Sequence, residues 1–370
     1  MGRFAPNASK LAFTACAVML LFACGRSDDG PQQLEPATFT GIGTLPGYRD
    51  SGVSALSANG GVAVGEAYNA AGGGKAALRW QAASGVSAIG FLPGGTTSTA
   101  TAVSASGDRI LVSGNVNIDG IQGSAMSVWS LAEGFLAVDP LASSTLCSAS
   151  GLSGDGTVVV GVCLVYGNTA FRWTRGVGTA ALRQFGTGSN MQSAAVAISR
   201  DGGTVVGVGH PVLTGAVAWA ADGSAKVLGK LPDDSRGFAA AVSDDGQVIV
   251  GTSFDAGNVP HAFRWTESAG MTSLGEGNGV TSSHARTVSG NGALVGGCGS
   301  TAAGDVAVLW DAGHGMRILT DMLSSDHGTV VAGWTLSCIS AMSTDGRVLA
   351  GYGINPQGRM EGWIVRLPAP

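Results

Sequence analysis

Apolar and polar positions alternate along this chain in short bursts, and the bursts recur. Residues 239–251 read AAAVSDDGQVIVG and residues 193–207 read SAAVAISRDGGTVVG. Each is an apolar run, a Ser-x-Asp-Gly segment and a Val-rich run. Aligned on that serine, the copies stand at Ser57, Ser104, Ser153, Ser199, Ser243, Ser289 and Ser343. Their spacings of 47, 49, 46, 44, 46 and 54 residues give one period through most of the chain, the mark of a repeat architecture. Three residues after each serine comes a glycine, and before it stands Asn59, Ser106, Asp155, Asp201, Asp245, Asn291 or Asp345. Asx-Gly between apolar runs predicts a two-residue hairpin whose central residues both take positive φ. Two copies depart from the pattern. The second, SASGDRILVSG, lacks the glycine that others place after the Val run, and the sixth, VSGNGALVGG, reads as one residue short.

About twenty residues beyond each turn comes a tryptophan: Trp80, Trp129, Trp173, Trp219, Trp265, Trp310 and Trp363. Its surroundings, as in ALRW and FRWT, have strand composition, and a short Leu-Gly or Val strand follows. Four antiparallel strands in each of seven repeats predict an all-β, seven-bladed β-propeller. The termini fit that reading. The last repeat stops at EGWIVRLPAP after its third strand, and FTGIGTLPG at 38–46 reads as an unpaired fourth strand. Joining them completes the seventh blade and removes an open sheet edge. A fixed tryptophan on the third strand is expected to fill the widening space between blades. Arg79, Arg172 and Arg264, each just before a tryptophan, are expected to serve ion pairs or bonds to nearby turns.

The text HAFRWTESAGMTSLGEG, with AVSDDGQVIVG ahead of it, resembles the HAF-type repeats of bacterial extracellular proteins. The resemblance covers nearly all of 38–370. It implies an extracellular repeat scaffold and carries no catalytic motif.

Composition narrows the class. Glycine occurs 61 times, 45% of residues are hydrophobic and 12% are charged, which suits many short strands with tight turns and argues against disorder. A net charge of −5 without a Lys/Arg cluster makes nucleic acid an unsuitable partner. At the start, Arg3 and Lys10 precede an apolar run from Leu11 to Ala23, the layout of a secretory signal. The run ends in Leu21-Phe22-Ala23-Cys24, which resembles a bacterial lipobox with Phe22 as an unusual occupant. The expected organisation is a lipoprotein signal peptide over 1–23, a polar tether over 24–37 anchored to a membrane by lipid on Cys24, and a propeller over 38–370. Gly25 after the cysteine favours the outer membrane, facing the periplasm or the exterior. A monomer is expected.

Four cysteines remain in the propeller, an even number suited to an oxidising compartment. Cys147 and Cys163 lie symmetrically about Asp155, which places them opposite one another across a hairpin. Cys298 and Cys338 fall on adjacent blades, where a second disulfide is expected. No metal-ligand spacing and no cofactor motif appears, and the single Asp244-Asp245 pair does not make a calcium loop.

Strand alternation sends the loops after the second and fourth strands to one face of the disk. That face collects Tyr68, Tyr166, His210, Phe254 and His261, and also Tyr48, Asp233, Asp234, Arg236, Phe238 and His284. The longest spacing holds an insertion, TDMLSSDHGTVVAGWTLSC, with Asp321, Asp326, His327 and Trp334. An insertion that breaks a regular repeat is a natural place for function. Aromatic side chains with Asp and Asn on one rim predict binding of a glycan or protein partner, with Trp334, Asp326, His327, Asp321, Phe238, Arg236, Tyr68 and Tyr166 as candidate contacts. An envelope enzyme of glycoside hydrolase or lyase type, and a purely structural envelope role, are the alternatives. No GxSxG elbow, HExxH helix or phosphate loop is present, and no carboxylate pair can be assigned from spacing.

Overall fold

Each Ser-x-Asx-Gly segment closes a hairpin in the same way in the computed structural model. In the fifth repeat the Ser243 hydroxyl donates to Asp245 Oδ1 at 2.6 Å and accepts the Val248 amide at 2.9 Å. Asp245 Oδ1 also accepts the Gln247 amide. Only the glycine takes positive φ, from 62° at Gly60 to 88° at Gly107, whereas the Asx residues do not. The expected two-residue turn is therefore corrected. The amide of Gly60 donates to the Ser57 carbonyl and the amide of Ser57 to the Val62 carbonyl, which makes a four-residue loop around a turn followed by one left-handed glycine. The sixth copy has lost nothing, since Ser289 bonds to the Leu294 carbonyl in the same register.

The structure describes residues 1–2 and 35–369, apart from 70–72, 119–120, 166, 186–191 and 211–214. The signal region, Cys24 and Tyr166 lie outside the described residues. Among those described, 28 strands and one short helix form seven four-stranded antiparallel sheets. Blades one to six span Asp50–Gly90, Thr99–Ala137, Leu146–Ala181, Gln192–Gly229, Arg236–Ser273 and Ser282–Ile318. Blade seven combines Thr335–Met342, Val348–Ile354 and Met360–Arg366 with Thr38–Gly41 as its outermost strand, paired Thr38 to Arg366 and Gly41 to Trp363. The chain is a seven-bladed β-propeller closed between its two ends.

The core is a set of blade-to-blade interfaces. Seven hydrophobic clusters each join two adjacent blades. Trp219 packs with Val158 and Val160 of the preceding blade, and Trp310 with Val248 and Val250. Trp129 alone among the seven repeat tryptophans is half-buried. Arg172 donates to the Gly202 carbonyl in the next turn, a bond of the expected kind.

The innermost strands surround a central channel. Each of them carries a β-bulge at the same place, at Ser54, Thr101, Ser150, Val196, Ala240, Arg286 and Ser340. At the turn face the channel is ringed by backbone bonds. Ala58 donates to Ala105, Ala105 to Gly154, Gly154 to Arg200, Asp201 to Asp244, Asp244 to Gly290, Gly290 to Thr344, and Thr344 back to Ala58, at 2.7–3.4 Å.

Both expected disulfides are formed. Cys147 and Cys163 are paired in register with Cα atoms 4.1 Å apart. Cys298 and Cys338 tie blade six to blade seven with Cα atoms 4.4 Å apart.

Candidate functional site

The insertion links the outermost strand of blade six to the innermost strand of blade seven. It forms a helix, Leu319–His327, whose buried Leu319, Met322 and Leu323 join the core between those blades. Asp321 is exposed in its first turn. Asp326 pairs with Arg317, which also holds Asp311 at 3.2 Å, and the Ser325 hydroxyl first, then the guanidinium, keep the Asp326 carboxyl below the usual range. His327 meets the Glu35 carbonyl, and Trp334 packs edge-on against Phe39 of the outermost strand at 5.0 Å. Three of its four distinctive side chains, Asp326, His327 and Trp334, thus meet neighbours within the fold, and Asp321 faces solvent.

Tyr68 sits between blades one and seven, with its hydroxyl 2.6 Å from Met360 Sδ. Burial first, then the nearby carboxylates of Asp50 and Glu66, push its phenol pKa up. Those carboxylates are already satisfied. Asp50 accepts the Met360 amide, and Glu66 holds Lys75 at 2.9 Å and the Thr99 hydroxyl at 2.9 Å.

Blades five and six bring together a different group. Arg236 opens the innermost strand of blade five, and Phe254 ends the strand paired with it, so both stand at the face opposite the turns. The Arg236 guanidinium lies 4.7 Å from the Phe254 ring centre and 6.0 Å from that of Phe238. The two phenyl rings meet edge to face at 5.7 Å. His284, from the innermost strand of blade six, stands 6.0 Å from Phe254 and bonds through Nδ1 to Thr252 Oγ1 at 3.1 Å. Burial, then the charge of Arg286, holds the His284 imidazole below its ordinary pKa, so it is neutral at pH 7. All of Arg236, Phe238, Phe254 and His284 are half-buried, and among the described residues no carboxylate lies within salt-bridge reach of Arg236.

Sequence reasoning named Arg236 and Phe238 as contacts, and placed Phe254 and His284 only on the same face. Arg286 was missed, although a lone charged residue at a position otherwise Ser, Thr, Ala or Val was a readable signal. Among the described residues no three His, Cys, Asp or Glu side chains are grouped to hold a metal ion.

No known protein family and no curated protein matches the sequence. Solved structures do match in shape. An oligogalacturonate lyase in complex with manganese is 12% identical with a TM-score of 0.57, over 91% of this chain and 98% of its own. An oligogalacturonate lyase from Vibrio parahaemolyticus is 9% identical with a TM-score of 0.56, over 91% and 98%. A prolyl endopeptidase is 12% identical with a TM-score of 0.56, over 87% of this chain and 51% of its own, so this chain spans about half of that enzyme. At such identities the likeness is one of fold: the chain shares the β-propeller architecture with these proteins.

Proposed function

We propose that this protein is an exported, lipid-anchored binding module that takes an acidic glycan at the channel mouth of blades five and six. The observation that carries the reading is the Arg236 guanidinium, stacked over Phe254 at 4.7 Å with no carboxylate partner among the described residues. A guanidinium so placed keeps its planar fork free for a carboxylate, and the phenyl rings offer apolar faces to a sugar ring. A group of four side chains suits a small ligand better than a protein, whose stable interfaces bury on the order of 1,000 Å² or more. The lipobox-like Cys24, the resemblance to HAF-type repeats and the two disulfides support an oxidising, extracytoplasmic address.

Calorimetry of the purified protein with oligomers of uronic acid and with neutral oligosaccharides of the same length tests this. Uronide binding is expected to weaken with added salt and to fall about tenfold or more in Arg236→Ala, since a hydrogen bond to a charged group contributes about 1.5–3 kcal/mol. Tyr68→Ala is expected to leave it unchanged. Equal binding of neutral and acidic chains, or indifference to Arg236→Ala, would remove the reading. The lyase alternative draws on neutral His284 as a base beside Arg236 and on the lyases of the same fold. Appearance of unsaturated uronide in the same mixtures would select it.

A further inference from the structure

We propose that the central channel is a blind socket that receives the end of an acidic glycan chain, with Arg286 holding the terminal carboxylate. This rests on the reading of the mouth as an acidic-glycan site and adds how the chain is held.

The floor of the socket is built from the variable residue of the Ser-x-Asx-Gly turns. Arg200 pairs with Asp244 at 2.9 Å, and the Thr344 hydroxyl donates to Asp244 Oδ2 at 2.9 Å. These belong to blades four, five and seven, so the contact runs over blade six, where Gly290 leaves room. A Cβ at Gly290 would lie 2.6 Å from both Asp244 Oδ2 and Thr344 Cγ2. Together with the backbone ring, this group narrows the turn-face end and leaves the opposite mouth as the way in.

Above the floor lies a cavity of about 260 Å³. Six of the seven bulge residues line it, and all six are small hydroxyl or aliphatic side chains. The seventh bulge residue is Arg286, exposed and without a carboxylate in salt-bridge reach among the described residues. The floor's own cation, Arg200, is consumed by Asp244, so Arg286 is the charge left for a ligand. Sites for drug-sized ligands measure about 300–1,000 Å³, so this space fits one end group and excludes the middle of a chain.

The test compares uronide oligomers esterified at a terminal carboxyl with oligomers esterified at an inner one, on the wild-type protein, Arg286→Ala and Arg236→Ala. Terminal esterification and Arg286→Ala are each expected to weaken binding about tenfold or more and to be non-additive when combined, as partners in one contact are. Arg286→Lys should keep part of the affinity, and thermal melting of each variant reports folding separately. If Arg236→Ala weakens binding while Arg286→Ala does not, or if terminal and inner esters behave alike, the socket is overturned and the mouth reading stands. If no uronide binds at all, both fall.

Discussion

A methyl group has no place at residue 207. A Cβ there would lie 2.0 Å from the Ala194 carbonyl oxygen, and the glycines at 65, 161, 251, 297 and 351 meet the same obstacle from the strand beside them at 1.9–2.1 Å. In these six blades the glycine after the Val run is required by a neighbouring carbonyl and not by its own φ. The recurrence was visible in the sequence; its cause was not, because it lies across the sheet. In the second blade Val112 holds this position. His284 is the other residue with a consequence at this scale. Its folded pKa is depressed below the free value of about 6.5, so between the two values the unfolded chain binds a proton that the folded one does not. The stability from this group is therefore present above about pH 6.5 and drains as pH falls toward the folded value. Proton NMR of the imidazole should show a midpoint below the free value that rises in Arg286→Ala, because one of its two lowering causes is removed. An unmoved midpoint would separate the two side chains.

At the scale of the element, the turn is a small closed circuit of hydroxyl, carboxylate and amides. Removing the hydroxyl in Ser243→Ala strands the buried Val248 amide and the Asp245 carboxylate, at a cost of about 1–3 kcal/mol in urea or thermal unfolding. The Ser243 and Ser343 hydroxyls, aided by backbone amides, hold Asp245 and Asp345 below the usual carboxylate range. A lowered folded pKa favours the fold above about pH 4, and that contribution is lost as pH falls through the folded value. Asp245→Asn, the residue type already present at 59 and 291, should lower stability at neutral pH and flatten its loss below about pH 4 as followed by circular dichroism, because the titrating group is gone. The motif was legible from spacing alone, as was the Cys147–Cys163 bridge, since both depend on residues close in sequence. The loop type was misread because the serine side chain supplies half of the turn, which a pattern centred on Asx-Gly does not register. A second recurring serine also went unread. Ser98, Ser193 and Ser283, six residues ahead of the turn serine, cap the third strand of the preceding blade by accepting the amides of Ala77, Ala170 and Ala262.

Across the whole molecule, the blade count and the closure at the termini were legible because the repeat carries them. The site was less so. As proposed, it is assembled from blades five and six, and no periodicity states which neighbours face one another across a channel. The insertion drew attention by breaking the rhythm, yet its helix carries Leu319 and Leu323 fully buried. Closure itself is testable. Deleting residues 38–41 would strip the outer strand from Met360–Arg366 and expose a long unpaired edge beside Trp363. Size-exclusion chromatography should show the truncated protein aggregating or unfolding at a lower temperature, while a truncation ending before residue 35 should leave the melting point of the propeller in place.

Among the described residues the strand Thr38–Gly41 comes first, and it pairs with the strand that ends at Arg366. Hairpins within a blade need only a few residues between partners and form early, whereas this pairing must bridge nearly the full propeller sequence. Until the last blade is made, the opening strand has no partner. Ring closure is thus a late event on the folding path, and a circular permutant that joins the two ends and opens a link between other blades would shorten that one slow search while keeping every contact of the finished ring.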